Sequence, residues 1–365
     1  MQNRFYILFV DLIKVSLGKK QFLPTKPTIE EWQLLYEECK RQTLVGITYE
    51  GVQRLPLEQR PPKNILFQWY VNKEAIVRQN LKLNKRTIET ALFFSRKGYK
   101  NCILKGQGIA LYYPNPLLRT SGDIDIWVDE ERTKILEYVR QKEVLQGVTY
   151  SHVHFSLFSD VLVEVHFTPS WVSSPRENRI LQRIFQNVWQ EDLLIAQKLP
   201  GADGVIQVPN YVINCFYLIV HIFRHVWGEG IGLRQLMDLH FLLLSKHTQE
   251  DNEHIIKLLD SCGLTKFTAS LMYVLKSVFF LEDSCLLVPL EIKGGKFLLR
   301  EIFQSGNFGK YDQRINRHYY RFRFFRFFFS IKRNVRFWQL SRREFFWDPL
   351  FKIWHFCWRK YHGWM

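Results

Sequence analysis

The chain has 365 residues, 47% of them hydrophobic, which excludes a disordered chain and a single small core and predicts two or three structural units. The formal net charge is +16, but residues 310–365 hold 14 Lys and Arg against Asp312, Glu344 and Asp348, so +11 belongs to this segment and only +5 to all that precedes it. Six scattered cysteines with no Cys-x-x-Cys pair argue against a zinc ribbon or a disulfide framework and suit a reducing cytoplasm.

The opening MQNRFYILFVDLIKVSLGKK is apolar but broken by Asp11 and Lys14, with no small-residue cleavage site after it. It reads as a helix, not a signal peptide. No uncharged apolar run reaches the roughly 18 residues of a spanning helix. Residues 28–60 read as helical: Thr28 is a cap, Glu31 stands three residues on, and Trp32, Leu35, Tyr36 and Cys39 recur at helical spacing. PLEQRPP breaks the chain, and residues 64–98 return to a long helical pattern. The texture changes at Tyr99. NCILKG is a short strand ended by glycine, and GIALYY a brief helix stopped by PNP. DIDIWV is a strand, and EERTKILEYVRQKEV a surface helix. VTYSHVHFSLF and VLVEVHF are two strands, paired as a hairpin across Ser159 and Asp160. From Pro209 onward the pattern is helical again. The expected fold is α+β: an N-terminal helical region (1–95), a small mixed-sheet α/β core (96–205), a C-terminal helical region (206–309) and a basic, aromatic-rich helical tail (310–365).

Within LLRTSGDIDIWV, Asp123 and Asp125 are two apart, so in a strand they share one face. Two unpaired carboxylates there repel, and burying them is expensive. Either the strand is an edge with both acids in water, or it has something positive to hold. VLVEVHF supplies a third acid, Glu164, on the same face as His166. Three hard oxygen donors on a sheet suit Mg²⁺ together with phosphate oxygens. Two such ions about 3.5–4 Å apart would stabilise both the entering and the leaving oxygen of a displacement at phosphorus. LKGQG places Lys105 and two glycines at the end of the preceding strand, where backbone approaches a phosphate closely and the next helix offers its amides. Arg119 and Ser121 lie just before the acids, in position to contact phosphates.

ILKGQGIALYYPNPLLRTSGDIDIWV, followed by VEVHF, resembles the polymerase-β-type nucleotidyltransferase superfamily, and most of all its large uncharacterised bacterial branch. That branch pairs a Lys-Gly turn with an Arg-x-Ser-x-Asp-x-Asp strand and a later Glu-x-His strand. HIFRHVWGEGIGLRQLMDLHFLL resembles the helical segment that follows, so the likeness spans most of residues 28–245. The resemblance implies a nucleotidyltransferase core with Gly106 as the turn glycine and Asp123 and Asp125 as the metal pair. Glu164 would complete the metal site and help activate the acceptor. The implied reaction is Mg²⁺-dependent transfer of a nucleoside monophosphate from an NTP, with release of pyrophosphate. The acceptor would be a small molecule, a sugar, a protein hydroxyl or an RNA end. Lys105, Gly106 and Ser121 would bind the triphosphate, with Arg119 aiding charge neutralisation. The likeness departs at Gly106-Gln107, where the superfamily has Gly-Ser, and at the inserted PNP.

Other residues admit rival readings. A nucleotide-binding or membrane-peripheral scaffold that kept the fold without catalysis is the alternative function. His152 and His154 share a strand face, as do Glu164 and His166, so a zinc site competes with histidines that support the acids. His221 and His225 stand four apart on a helix, but Ile222 occupies the place of the H-E-x-x-H base, which favours packing. Arg234 either pairs with Asp238 along its helix or turns toward the site. In the tail, Tyr320, Phe324, Phe327, Phe328, Ile331, Val335 and Trp338 form a helical stripe. Three readings compete for it: a cap packed on the core, a helix on anionic lipid at the inner membrane face, and single-stranded nucleic acid binding by stacking. Crowding of the acids predicts that Asp125→Asn relieves repulsion and leaves stability unchanged or raised.

Overall fold

A computed structural model describes residues 2–145, 147–314 and 323–364. Four helices open the chain: α1 (Gln2–Ser16), α2 (Ile29–Arg41), α3 (Val45–Arg54) and α4 (Lys63–Arg96). The α2 start is the expected capping box, with Thr28 accepting from the Glu31 amide and Glu31 accepting from that of Thr28. The stretch 28–60 is helical as expected, but in separate pieces. Thr43 takes a left-handed φ of 57° between α2 and α3. The break is fixed by tertiary contacts: Gln42 donates to Glu38 and accepts from the Leu233 amide at 3.0 Å, far along the chain. Helix α4 serves two cores. Ile65 and Trp69 pack with the helical regions, whereas Leu83, Ile88, Ala91 and Phe94 pack under the sheet.

The sheet contains β1 (Asn101–Leu104), β2 (Ile124–Val128), β3 (His152–Phe155) and β4 (Val163–His166), with the short α5 (Gly106–Ala110) and α6 (Arg132–Arg140) between strands. Its order is β1-β2-β4-β3. β1 runs antiparallel to β2, β2 parallel to β4, and β4 antiparallel to β3, so the sheet is mixed as expected. Period-two alternation divides its faces. Ile124, Ile126, Val128, Val153, Phe155, Val163 and Val165 form one core with α4 and α6. The alternate residues, including every acid and histidine of these strands, fall on the other face.

The chain then adds α7 (Pro175–Gln190) and a hairpin of β5 (Leu194–Gln197) and β6 (Ile206–Pro209), neither of which the sequence pattern singled out. Five helices follow: α8 (Tyr211–Gly228), α9 (Leu233–Leu243), α10 (Gln249–Ser261), α11 (Thr265–Val274) and α12 (Ile292–Ser305). Helix α8 is apolar around most of its circumference and lies buried at the centre of this region. The tail holds helices Arg323–Phe337 and Arg342–Tyr361. Phe337 packs on Trp227 and Phe297, so the first of these is partly a cap. Val335 and Trp338 of the predicted stripe are exposed. Tyr320 and the side chains of Phe324 and Phe328 lie outside the described residues. Among the described residues no helix is long and apolar enough to cross a membrane.

Candidate active site on the polar face of the sheet

Register brings the acids together. Asp125 stands opposite Leu104 on one side and Glu164 on the other, and Glu164 stands opposite His154. His166 stands opposite His152. Asp123 immediately precedes β2 and shares the face of Asp125. The turn after β1 therefore delivers Lys105 and Gly106 to the same edge. Both take positive φ, 48° and 41°. Only the second is a glycine, so Lys105 holds a conformation that L-residues rarely adopt.

The positive partner of the acid strand is now visible. Lys105 Nζ lies 2.8 Å from Asp125 Oδ1, and His166 Nε2 lies 2.9 Å from the same oxygen. His166 Nδ1 faces the Thr168 carbonyl at 3.4 Å. With an acceptor at each ring nitrogen, the imidazolium is the favoured form. Glu164 gathers three imidazoles: His154 at 3.5 Å, His166 at 3.6 Å and His152 at 3.7 Å.

The titration behaviour follows from these contacts. Burial would raise the Asp125 carboxyl, but Lys105 and the His166 hydrogen bond outweigh it and hold it below the usual range. Glu164 is also lowered: burial opposes ionisation, and hydrogen bonds from His154 and His166 overcome it. Asp123 is raised, first by repulsion from Asp125 and then by burial. Burial would lower His166, yet its bonds to Asp125 and Glu164 raise it. His152 is pushed down to about 4 by burial and by His166, and so is neutral at pH 7. Lys105 stays firmly charged, since Asp125 more than offsets its burial. These contacts argue against the expected relief from Asp125→Asn. Asp125 already has two cations, and the carboxylate under strain is Asp123.

Two donor groups among the described residues have ligand atoms mutually within 4.8 Å: Asp125, Glu164 and His166, and His152, His154 and Glu164. Glu164 belongs to both, and Asp123 to neither. The carboxylate and imidazole donors fit a divalent ion at Asp125 and Glu164.

Arg119 is not free to reach a phosphate. It forms a buried two-pronged pair with Asp238, Nε to Oδ1 at 2.7 Å and Nη2 to Oδ2 at 2.8 Å. Tyr113 Oη donates to the same carboxylate at 2.6 Å. The third nitrogen of Arg119 donates to Ser121 Oγ at 2.7 Å and so fixes the loop that leads into the acids. Arg234 forms the i, i+4 ion pair with Asp238, at 3.9 Å, as the local reading expected. Its charge also helps to lower Asp123, against repulsion from Asp125 and burial. Two asparagines of α4 hold the flanking loops. Asn80 donates to the carbonyls of Leu117 and Arg119, both at 2.7 Å. Asn84 donates to Pro200 and accepts from Gln107. The residue that replaces the usual serine thus anchors the glycine turn to α4.

Helix α8 carries Tyr217, His221 and His225, spaced four apart. Lys105 influences all three, and burial together with Lys105 pushes His221 down and His225 to about 3. Only their i, i+4, i+8 spacing signalled this grouping, and Tyr217 was missed. A separate cleft of about 530 Å³, lined by Ala91, Trp189, Leu194 and Gln207 among others, contains no residue of the acid cluster.

A mixed sheet with a glycine turn after its first strand and acids at its adjoining edges is a nucleotidyltransferase-type core. Residues 29–280, well over half of the chain, match the family described as "Uncharacterised nucleotidyltransferase", and the chain belongs to that family. Among solved structures, an antigenic nucleotidyltransferase-like protein from Paracoccidioides brasiliensis is similar over 58% of this chain and 94% of its own, with 11% identity and a TM-score of 0.34. No curated protein matches the chain.

Proposed function

We propose that the protein transfers a nucleoside monophosphate from an NTP to an acceptor nucleophile with release of pyrophosphate. The observation that carries this reading is the pairing of Asp125 and Glu164 in register on neighbouring strands, with Lys105 of the Gly106 turn on Asp125. Asp125 and Glu164, with Asp123 beside them, would hold Mg²⁺. When bound, that ion neutralises phosphate charge and polarises the reacting phosphorus. The Lys105 ammonium supplies a fixed positive charge at the same edge and orients the triphosphate. The Gly106 turn lets backbone approach the phosphates. Ser121, held by Arg119, offers its hydroxyl there. Glu164 is kept ionised by its imidazoles. A carboxylate so depressed is a weak base, so it orients the acceptor by accepting its hydrogen bond more than by taking its proton. Arg119 acts through Ser121, and the charge of Arg234 favours ionised Asp123.

The test is a melting screen of the four NTPs with Mg²⁺ and with EDTA, coupled to detection of pyrophosphate. Stabilisation that needs both NTP and metal, lost in Lys105→Met, supports the reading. Equal stabilisation in EDTA, or none by any NTP, refutes it.

A further inference from the structure

The helix Arg342–Tyr361 is inside out. Its acids lie on the buried side, Glu344 2% and Asp348 0% exposed. Glu344 accepts from Ser173 Oγ at 2.6 Å and from Arg224 at 3.1 Å, while Asp348 is paired with Lys352 at 2.5 Å and accepts from Asn334. The solvent side carries the apolar residues: Phe346 is 61% exposed, Leu350 46% and Ile353 50%. Their spacings of four and three put them on one face. The preceding helix adds exposed Val335, and the turn after it exposed Trp338. A helix that merely packs on a globular core shows the reverse pattern.

This inversion also makes the surface electrically one-sided. The three acids of residues 310–365, Asp312, Glu344 and Asp348, are all buried and ion-paired. Lys332, Arg342 and Lys360 are exposed among the apolar side chains. The face is therefore both apolar and cationic, and its natural partner is both apolar and anionic. We infer that the two tail helices dock on an anionic lipid surface, with Trp338, Phe346, Leu350 and Ile353 entering the acyl boundary and the cations resting on headgroups. Nucleic acid meets the charge but not the aliphatics, since Val335, Leu350 and Ile353 offer no π face for a base. A second copy would bring one cationic face against another. The inference rests on neither metal nor nucleotide, and so stands or falls apart from the proposed reaction.

The test is co-sedimentation of the full chain with vesicles of phosphatidylcholine alone or mixed with phosphatidylglycerol, at low and high salt. Binding is expected to be much stronger to the mixed vesicles at low salt, with a weaker apolar component common to both at high salt. Lys332→Gln, Arg342→Gln and Lys360→Gln combined should weaken it about a hundredfold at low salt, each cation being worth roughly fivefold. Phe346→Ser, Leu350→Ser and Ile353→Ser combined should abolish the binding that survives at high salt, where only the apolar part is unscreened. Independently of any variant, brominated lipid should quench wild-type tryptophan fluorescence. Three results overturn the inference: no capture by mixed vesicles, a concentration-dependent dimer that the serine variant abolishes, or single-stranded RNA binding without vesicle binding.

Discussion

Arg119→Met separates a structural role from a phosphate-binding one. The guanidinium and Asp238 are both buried, joined by two hydrogen bonds of 2.7 and 2.8 Å. Removing one partner of such a pair strands the other, which costs about 3–5 kcal/mol. Two features pull the value toward the lower end. Tyr113 still donates to Asp238, and Arg234, 3.9 Å away, gains freedom to close on it once its repulsion by Arg119 is gone. The expected loss is about 3 kcal/mol, or about 4 °C in Tm at the usual unfolding entropy per residue. Urea denaturation of Arg119→Met, Asp238→Asn and the double variant should give a coupling energy of about 2 kcal/mol or more. If Arg119→Met costs less than about 1 kcal/mol and instead weakens NTP binding in proportion, the pair is not structural and the guanidinium turns to the phosphates.

In EDTA, Asp125→Asn should lose about 3 kcal/mol by urea denaturation, because Lys105 and His166 lose their shared carboxylate, whereas Asp123→Asn should be neutral or stabilising. His240 is buried between Phe241 and Phe279 and has no hydrogen-bond partner among the described residues; burial, with Lys19, pushes it down to about 4. The unfolded state binds its proton more tightly, so stability is full above about pH 6.5 and declines toward pH 4 by up to about 3 kcal/mol. His240→Phe should remove that component from ΔG measured against pH. Gly106→Ala should cost about 1 kcal/mol from its φ of 41°, with no clash, since the added Cβ would lie 3.7 Å from the Asp123 carbonyl. A melting curve unchanged from wild type would show that the turn relaxes.

What the sequence disclosed was local. Alternation in DIDIWV and VLVEVHF assigned Ile124, Ile126, Val163 and Val165 to one face and Asp125, Glu164 and His166 to the other, and the register agrees. Thr28 and Glu31 announced the α2 cap, and Ser159 and Asp160 the connection between β3 and β4. What it hid was partnership. A strand pattern tells which face an acid occupies but not which cation meets it, so the pairing of Lys105 with Asp125 was not legible. Arg234 and Asp238 pair along their helix as the spacing suggested, yet the closer, two-pronged bond to the carboxylate comes from Arg119, whose planar fork reaches both oxygens from a distant segment. The break at Thr43 was invisible for the same reason, since the contact that holds it comes from Leu233.

The charge balance of the enclosed face bears on how a metal would come to it. Asp123, Asp125 and Glu164 contribute the negative charge, Lys105 and His166 the positive, and His154 is raised by its bond to Glu164. His152, His221 and His225 are kept neutral by burial and by neighbouring cations, so none adds to the balance. The face is close to self-compensated. A divalent ion arriving alone would meet two cations already within 3 Å of Asp125 and would have to displace one of them from that carboxylate. A triphosphate changes this, because its oxygens give Lys105 a new partner as the ion takes Asp125. On the proposed reading, metal and nucleotide therefore bind cooperatively. Without nucleotide, Lys105→Met should bind Mn²⁺ more tightly than wild type by calorimetry, and wild type should recover affinity only when a non-hydrolysable NTP is present. Equal Mn²⁺ affinity in the two proteins without nucleotide would show that Lys105 and the metal do not compete for Asp125.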